Sequence, residues 1–438
     1  VLTLRTVVAT SAGLTLATSS FVAAAQVASF MAGDSAWLAI LVGGVLCLLA
    51  GACFSELNSI LPSSLGILLY LRKAFGEKFA LTLSMLYMFV VMGVVGAESF
   101  VLAKIFNYAI PQVAPAVWIT VMLVGVTLLN IRGIKPAGRF QDIVTYGVIG
   151  SMILISLWGL KLVGFHLTAP LAAGGVSDFI QAVAVGIFLF VGFEWVTPLA
   201  EEVIDSRLIS RGMFIAIGIV CVVYALFTMA LTANIPRGVI FRSPGLLATP
   251  IPQVLFARKV LGEVGLVWIL LVCLSCSFGT FNAGLLTVSR FFYATAREHV
   301  LPRFFSRIST RFMTPWAAIV SVFVVGYAFS LYILYTGKYL VLVDMAAATE
   351  SLIYVLSAAA VLALRKKMAD AARSFQVPFG PVIPVLTMLV FAVLAVMAVA
   401  TDPAMAFWVL GLLLAIGLYV SYVVPRLREM HRQAHKRG

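Results

Sequence analysis

The sequence predicts an all-α membrane protein with twelve transmembrane helices, and three observations carry that prediction. Hydrophobic residues make up 62% of the 438 and charged residues only 11%, far from a soluble composition. Twelve apolar runs approach the roughly 20 residues that cross a bilayer as a helix. The longest connection between them, about 236–262, is too short for a soluble domain of even about 50 residues.

In chain order, the spans are expected at about 6–32, 36–58, 80–108, 114–131, 142–164, 179–200, 212–235, 263–290, 314–335, 339–363, 381–400 and 404–425. Span 1 is irregular, because Ala17-Thr18-Ser19-Ser20 interrupts its apolar run. In span 2, the small residues Gly43, Cys47 and Gly51 recur at every fourth position, a spacing that lets a neighbouring helix approach closely. Span 3 carries Glu98 and span 10 carries Glu350. Span 6 is the second irregular one, with Gly192-Phe193-Glu194 followed by Pro198, residues that interrupt the hydrogen-bond ladder of a helix. Span 8 holds Cys273 and Cys276, which at this depth read as packing residues rather than metal or redox ligands. Spans 4, 5, 7, 9, 11 and 12 are unbroken, and 426–438 forms a basic tail. Irregular segments at matching places in two halves point to a transporter site. Their offset of five spans predicts two inverted repeats, about 6–164 and 179–363, with spans 11 and 12 (about 381–425) appended to one transmembrane domain over 1–438.

Charge sets the orientation. If both ends lie on one side, that side carries 23 of the 30 Lys and Arg, and the positive-inside rule places both termini in the cytoplasm of an inner or plasma membrane. The net charge of +13 is then explained by topology and anionic lipid headgroups, with no nucleic-acid partner. The chain opens at Val1, so a trimmed start is expected, and the first span is too long for a signal peptide. The four histidines fall in loops or near span ends, which leaves no histidine relay.

The intramembrane acids are the sharpest functional signal, since a carboxylate in an apolar span costs several kcal/mol and marks function by default. At about 1.5 Å per residue, Glu98 lies roughly 15 Å and Glu350 roughly 16 Å below the outer ends of their helices, and Glu194 about 22 Å below Phe179. No Lys or Arg lies at comparable depth; Lys104 and Lys161 fall near span ends and can snorkel. Acids without a fixed base suit protons or cationic ligands. Each has a structural alternative: Glu194 capped by N–H groups freed at the break, Glu98 paired with Ser or Thr, Glu350 structural on an unknown face. Phe188 and Trp195 can stack on a cation, although aromatics in such helices are more often packing. Glu201, Glu202 and Asp205 form either gate-closing ion pairs or a solvated cluster. No nucleophile, base or metal constellation suggests an enzyme, and no cofactor is expected.

Several connections resemble those of the amino acid–polyamine–organocation permeases. They are Glu56-Leu57 with Pro62, Gly66 and Tyr70 after span 2, and Asn130-Ile131-Arg132-Gly133-Ile134-Lys135 between spans 4 and 5. Span 6 offers Phe190-Val191-Gly192-Phe193-Glu194 with Ala200-Glu201-Glu202-Val203. Ser289-Arg290, Ala296-Arg297 and Leu301-Pro302 follow span 8, with His299 where the family has Gly, and Val377-Pro378 through Pro384 precedes span 11. Five motifs in the correct order cover nearly the whole chain. The resemblance implies the inverted-repeat transporter fold, with substrate between spans 1, 3, 6, 8 and 10. Taken together with the residue reading above, it makes Thr18, Ser19, Ser20, Glu98, Phe188, Val191, Gly192 and Trp195 the expected substrate contacts, and Glu194 and Glu350 the expected coupling or gating acids. Glu98 matches a position facing the distal end of the substrate in members specific for basic amino acids, and Glu194 a proton-sensing acid.

There are two departures. The family's GSGIF signature falls on Ala17-Thr18-Ser19-Ser20-Phe21, which keeps hydroxyl donors but lacks both glycines. Val148 stands where some proton-coupled relatives carry a Lys. The implied activity is secondary transport of amino acids or related amines, cationic substrates favoured and protons coupled. A neutral amino acid permease and an ion or solute channel are the alternatives. The connection 107–116 has no Cys, so no covalent glycoprotein partner is expected.

Overall fold

The computed structural model describes residues 2–30, 35–164, 175–235, 252–401 and 403–436. Among these the chain is helical apart from loops and one isolated bridge between Leu2 and Val203. Eleven helices are long and apolar enough to cross a membrane, and the bent pair at the chain start makes a twelfth. The spans are Leu4–Thr15 with Thr18–Phe30, Ala36–Ile60, Glu77–Ala109, Pro115–Arg132, Ile134–Leu162, and Gly175–Phe188 with Phe193–Glu202. They continue as Arg207–Asn234, Val264–Arg297, Trp316–Thr336, Tyr339–Lys367, Val382–Thr401 and Pro403–Leu418. Span 5 begins at Ile134, well before the expected start near 142, because the polar stretch through Gln141 is helical and Gln141 is buried. Among the described residues, the short α-helices Ile67–Phe75 and Pro252–Leu261 and the 3₁₀ turn Arg303–Ser306 lie between the expected spans, and the helix Val424–Lys436 extends past the last one.

Both irregular spans are broken. Span 1 bends by 54° at Leu16-Ala17. Span 6 leaves the α-helix after Phe188, turns through Gly192 at φ +104°, and continues as a tight 3₁₀ stretch, Phe193–Glu202, containing Pro198. Left-handed backbone favours glycine at 192, whereas Pro198 has no N–H to return to the ladder.

Several of the inter-span contacts repeat when the spans are advanced by five. Span 1 packs on span 7 as span 6 packs on span 2, and span 3 meets span 9 as span 8 meets span 4. Likewise span 3 meets span 10 as span 8 meets span 5, and span 2 meets span 10 as span 7 meets span 5. Five is odd, so corresponding spans cross the membrane in opposite directions, the relation expected of inverted halves. The small-residue seam of span 2 does what its spacing predicts: a Cβ on Gly43 would come within 3.1 Å of the Ile187 backbone, and one on Gly51 within 3.1 Å of Ile217. Spans 11 and 12 are peripheral, with only 17% and 11% of their apolar windows buried.

The basic side is tied across both halves. Glu56, fully buried, accepts from Arg365 Nε at 2.8 Å, Arg365 Nη2 at 2.6 Å and Val377 N at 2.7 Å. Arg290 pairs with Glu202 at 3.5 Å, and Arg72 pairs with Glu298. Leu2 N–H donates to Glu202 O at 2.7 Å, seating the first residues beside the end of span 6. Glu201 accepts from Ser64 N and Oγ at 2.8 and 2.9 Å. Of the three acids after the span 6 break, only Glu202 therefore forms an ion pair among the described residues; Asp205 accepts from Arg207 N at 2.9 Å.

Candidate functional site

Glu98 does not stand open to a cavity. Its Oε1 accepts from Thr18 N at 2.6 Å and Ser277 Oγ at 2.8 Å, and its Oε2 from Ser19 N at 3.0 Å. Thr18 and Ser19 begin the second half of span 1, where the first N–H groups of a helix have no intrahelical acceptor and attract anions. Ser20 N, the next donor, is taken by Ala17 O at 3.1 Å. The Thr18 hydroxyl donates to Cys273 O at 2.8 Å and also lies 2.9 Å from Ser277 Oγ. Two hydroxyl protons serve three contacts here, so at any moment one contact is not a hydrogen bond. The facing carbonyls are satisfied too: Tyr224 and Ser20 hydroxyls donate to Thr15 O at 2.7 and 3.0 Å, and Thr280 donates to Gly13 O at 3.0 Å. Ser11 donates to Phe193 O at 2.9 Å, joining the first half of span 1 to the break of span 6.

Glu194 and Glu350 form a separate cluster. Tyr354 donates to Glu194 Oε2 at 2.7 Å, and Tyr87 donates to Glu194 Oε1. The same Tyr87 hydroxyl lies 3.3 Å from Glu350 Oε2, so the two carboxyls flank one hydroxyl. Tyr87 has a single proton. If Glu194 receives it, the contact to Glu350 is a bond only when Glu350 carries a proton of its own. Trp195 is buried edge-on to Tyr87, centroids 5.8 Å apart, with its indole N–H beside the Glu350 carboxyl but outside normal hydrogen-bond geometry. A cavity of about 10 Å³ lies beside Glu194, bounded by Tyr87, Met88, Trp195, Thr197 and Thr287. That is room for about one water molecule, far below the roughly 300 Å³ of a small-molecule pocket.

The expected site residues thus divide into two groups. Thr18, Ser19 and the break of span 1 meet Glu98 of span 3 and Ser277 of span 8, whereas Glu194, Trp195 and Glu350 meet Tyr87 of span 3. Eleven residues of one helix separate Tyr87 from Glu98, about 16 Å along its axis. Ser20 is spent on the Thr15 carbonyl. Phe188 and Val191 are half-buried in the span 6 turn, where Val191 N–H donates to Phe188 O at 3.3 Å. Gly192 supplies the left-handed turn, against Leu14. None of Glu98, Glu194 and Glu350 has an ion-pair partner among the described residues. Val148 is buried, and span 5 presents neutral amides instead: Gln141 donates to Ala9 O at 3.3 Å and accepts from Asn282 at 2.8 Å.

Sequence reasoning missed Tyr87, Tyr354 and Ser277. Tyr354 left a signal, since it lies one helical turn after Glu350 and on the same face. Tyr87 and Ser277 left none, because a lone Tyr or Ser is ordinary in an apolar helix.

A family model for amino acid permeases matches residues 2–420. Among curated proteins, the chain is 26% identical to the methylthioribose transporter of Bacillus subtilis (strain 168), over 85% of this chain and 82% of that protein. It is also 26% identical to cationic amino acid transporter 4, vacuolar, of Arabidopsis thaliana, over 74% of this chain and 57% of the relative. The large neutral amino acids transporter small subunit 2 of Mus musculus is again 26% identical, over 77% and 65%. The chain spans less than two thirds of the length of the plant and mouse relatives. These proteins are transporters and not enzymes. Matched over nearly its whole length, this multi-pass membrane chain belongs to the amino acid permease family.

Proposed function

We propose that the chain is a secondary transporter of amino acids or related amines that works by alternating access, favours cationic substrates and couples them to protons. The observation that carries this reading is the Glu194–Glu350 pair: two carboxyls share one tyrosine hydroxyl deep in the bundle, with no ion-pairing base among the described residues. Such a pair is favourable when it holds a proton or a ligand's ammonium group. Spans 3, 6 and 10 meet at this pair through Tyr87, Glu194 and Tyr354. Tyr87 and Glu194 both line the small cavity beside it, so a movement of span 3 against span 6 would break their hydrogen bond and let the cluster act as a gate as well as a proton site. The arginine and lysine side chains of the basic side support cytoplasmic termini in an inner or plasma membrane.

The test is counterflow and pH-jump uptake by the full chain in proteoliposomes, with arginine, lysine, leucine and their amines as substrates. Uptake of cationic solutes driven by an inward proton gradient is expected, with Glu194→Gln abolishing the pH dependence while substrate binding persists. An unchanged pH profile in that variant refutes the coupling role. The second reading, neutral amino acid exchange, has the mouse relative in its favour; leucine counterflow outpacing lysine would select it. Currents without saturable counterflow would select a channel.

A further inference from the structure

We infer that Glu98 is a built-in replacement for a substrate carboxylate, and that the ligand taken at this site is an amine without a carboxylate rather than an α-amino acid. The inference rests on the transport function proposed above and narrows its substrate class.

The break in span 1 creates an anion site. The helix Thr18–Phe30 is thirteen residues long, and its first N–H groups point out of its end toward spans 3 and 8. A free carboxylate would be held there by two backbone N–H groups, one to each oxygen, with a hydroxyl as third donor. Glu98 already makes that set of bonds, through Thr18 N, Ser19 N and Ser277 Oγ. Both of its oxygens are engaged and the side chain is buried. Ser20 N is occupied as well, so the end of this helix offers no N–H among Thr18, Ser19 and Ser20 to an incoming anion.

Displacing Glu98 is costly. It is tethered to span 3, so it competes at a high effective concentration with any diffusing carboxylate. Once displaced it would stay inside the membrane domain without its three donors, beside the carboxylate that replaced it. A zwitterionic amino acid therefore adds a fourth acid to a bundle that already holds Glu98, Glu194 and Glu350. An amine brings the ammonium group that these acids lack and no anion that needs a seat.

The experiment compares each amine with its parent amino acid on the purified full chain: cadaverine with lysine, agmatine with arginine, isobutylamine with valine. Apparent affinity is read from counterflow in proteoliposomes and, independently, from ligand-induced thermal shift. The amine is expected to bind at least tenfold more tightly than its parent in every pair. Glu98→Ala, which vacates the two amides, is expected to narrow that gap at least tenfold by admitting the parent's carboxylate. Glu98→Gln keeps the shape and one acceptor oxygen, and is expected to retain most of the preference even if the Ala variant does not fold. Amino acids binding as tightly as their amines to the unsubstituted chain overturn this inference and leave the transport reading standing. A preference that survives Glu98→Ala unchanged, or is lost in Glu98→Gln while the parent amino acids still bind, also overturns it. Binding by neither member of any pair sinks the transport reading and this inference together.

Discussion

Replacing Glu56 by alanine should damage the protein more than any surface ion-pair change, by an amount that the geometry bounds. Glu56 is fully buried, and the Arg365 side chain is 16% exposed. Glu56→Ala removes two charge-assisted bonds, at 2.8 and 2.6 Å, and orphans Val377 N–H. Removing one partner of such a pair costs about 3–5 kcal/mol. The lower end applies here, because Arg365 keeps Gly380 O at 2.7 Å and Val377 O at 3.1 Å. Arg365→Ala should cost less, about 2 kcal/mol, since Glu56 retains Val377 N–H and the Arg373 guanidinium at 3.7 Å. If the pair acts as a unit, the double variant should cost about 3 kcal/mol, leaving a coupling energy near 2 kcal/mol. Denaturant titration of the full chain in lipid–detergent micelles, followed by far-UV circular dichroism, measures all three. Costs that simply add to within about 0.5 kcal/mol would refute the reasoning, because the two groups would then be independent.

Two further substitutions probe packing and surface charge in the same assay. Gly96→Ala should cost about 1–3 kcal/mol, because its Cβ would lie 2.8 Å from Phe329 Cβ and 3.0 Å from the Phe329 and Ser330 backbone. Gly147→Ala, with nothing within 4 Å, should instead be neutral or stabilising, and equal effects at the two sites would contradict the close approach of spans 3 and 9. Arg428→Ala should cost under about 1 kcal/mol and lose its effect in high salt, since Arg428 and Glu77 are 30% and 43% exposed. A larger, salt-insensitive loss would show that this pair holds the short helix Val424–Lys436 in place.

The spans were legible because a bilayer imposes one length on every helix that crosses it. The breaks were legible because Thr18-Ser19-Ser20 and Gly192-Phe193-Glu194 violate an apolar run. The helix Ile67–Phe75 was not foreseen: nine residues are too few to cross, and its apolar residues Ile67, Leu68 and Leu71 share it with Arg72 and Lys73. Acids stood out for the same reason as the breaks, but which acids meet did not. Glu98 and Glu350 lie at nearly the same reckoned depth yet belong to different clusters, while Glu194 and Glu350, reckoned about 6 Å apart in depth, share Tyr87. Depth is one coordinate, and a helix's rotation about its axis, which decides what a side chain faces, is set by packing against other spans. For Glu98, the sequence singled out the carboxylate, and only the fold brought it to the Thr18 and Ser19 amides.

The self-repeating packing has an energetic consequence. Under a five-span shift some seams correspond: that between spans 2 and 10 corresponds to that between spans 7 and 5. Loosening one of a matched pair should favour exposure to one face of the membrane, and loosening its counterpart should favour the other. Under the alternating access proposed above, the resting orientation is a balance between such paired seams. Small residues along them are the places where evolution or design can tilt that balance without touching a ligand.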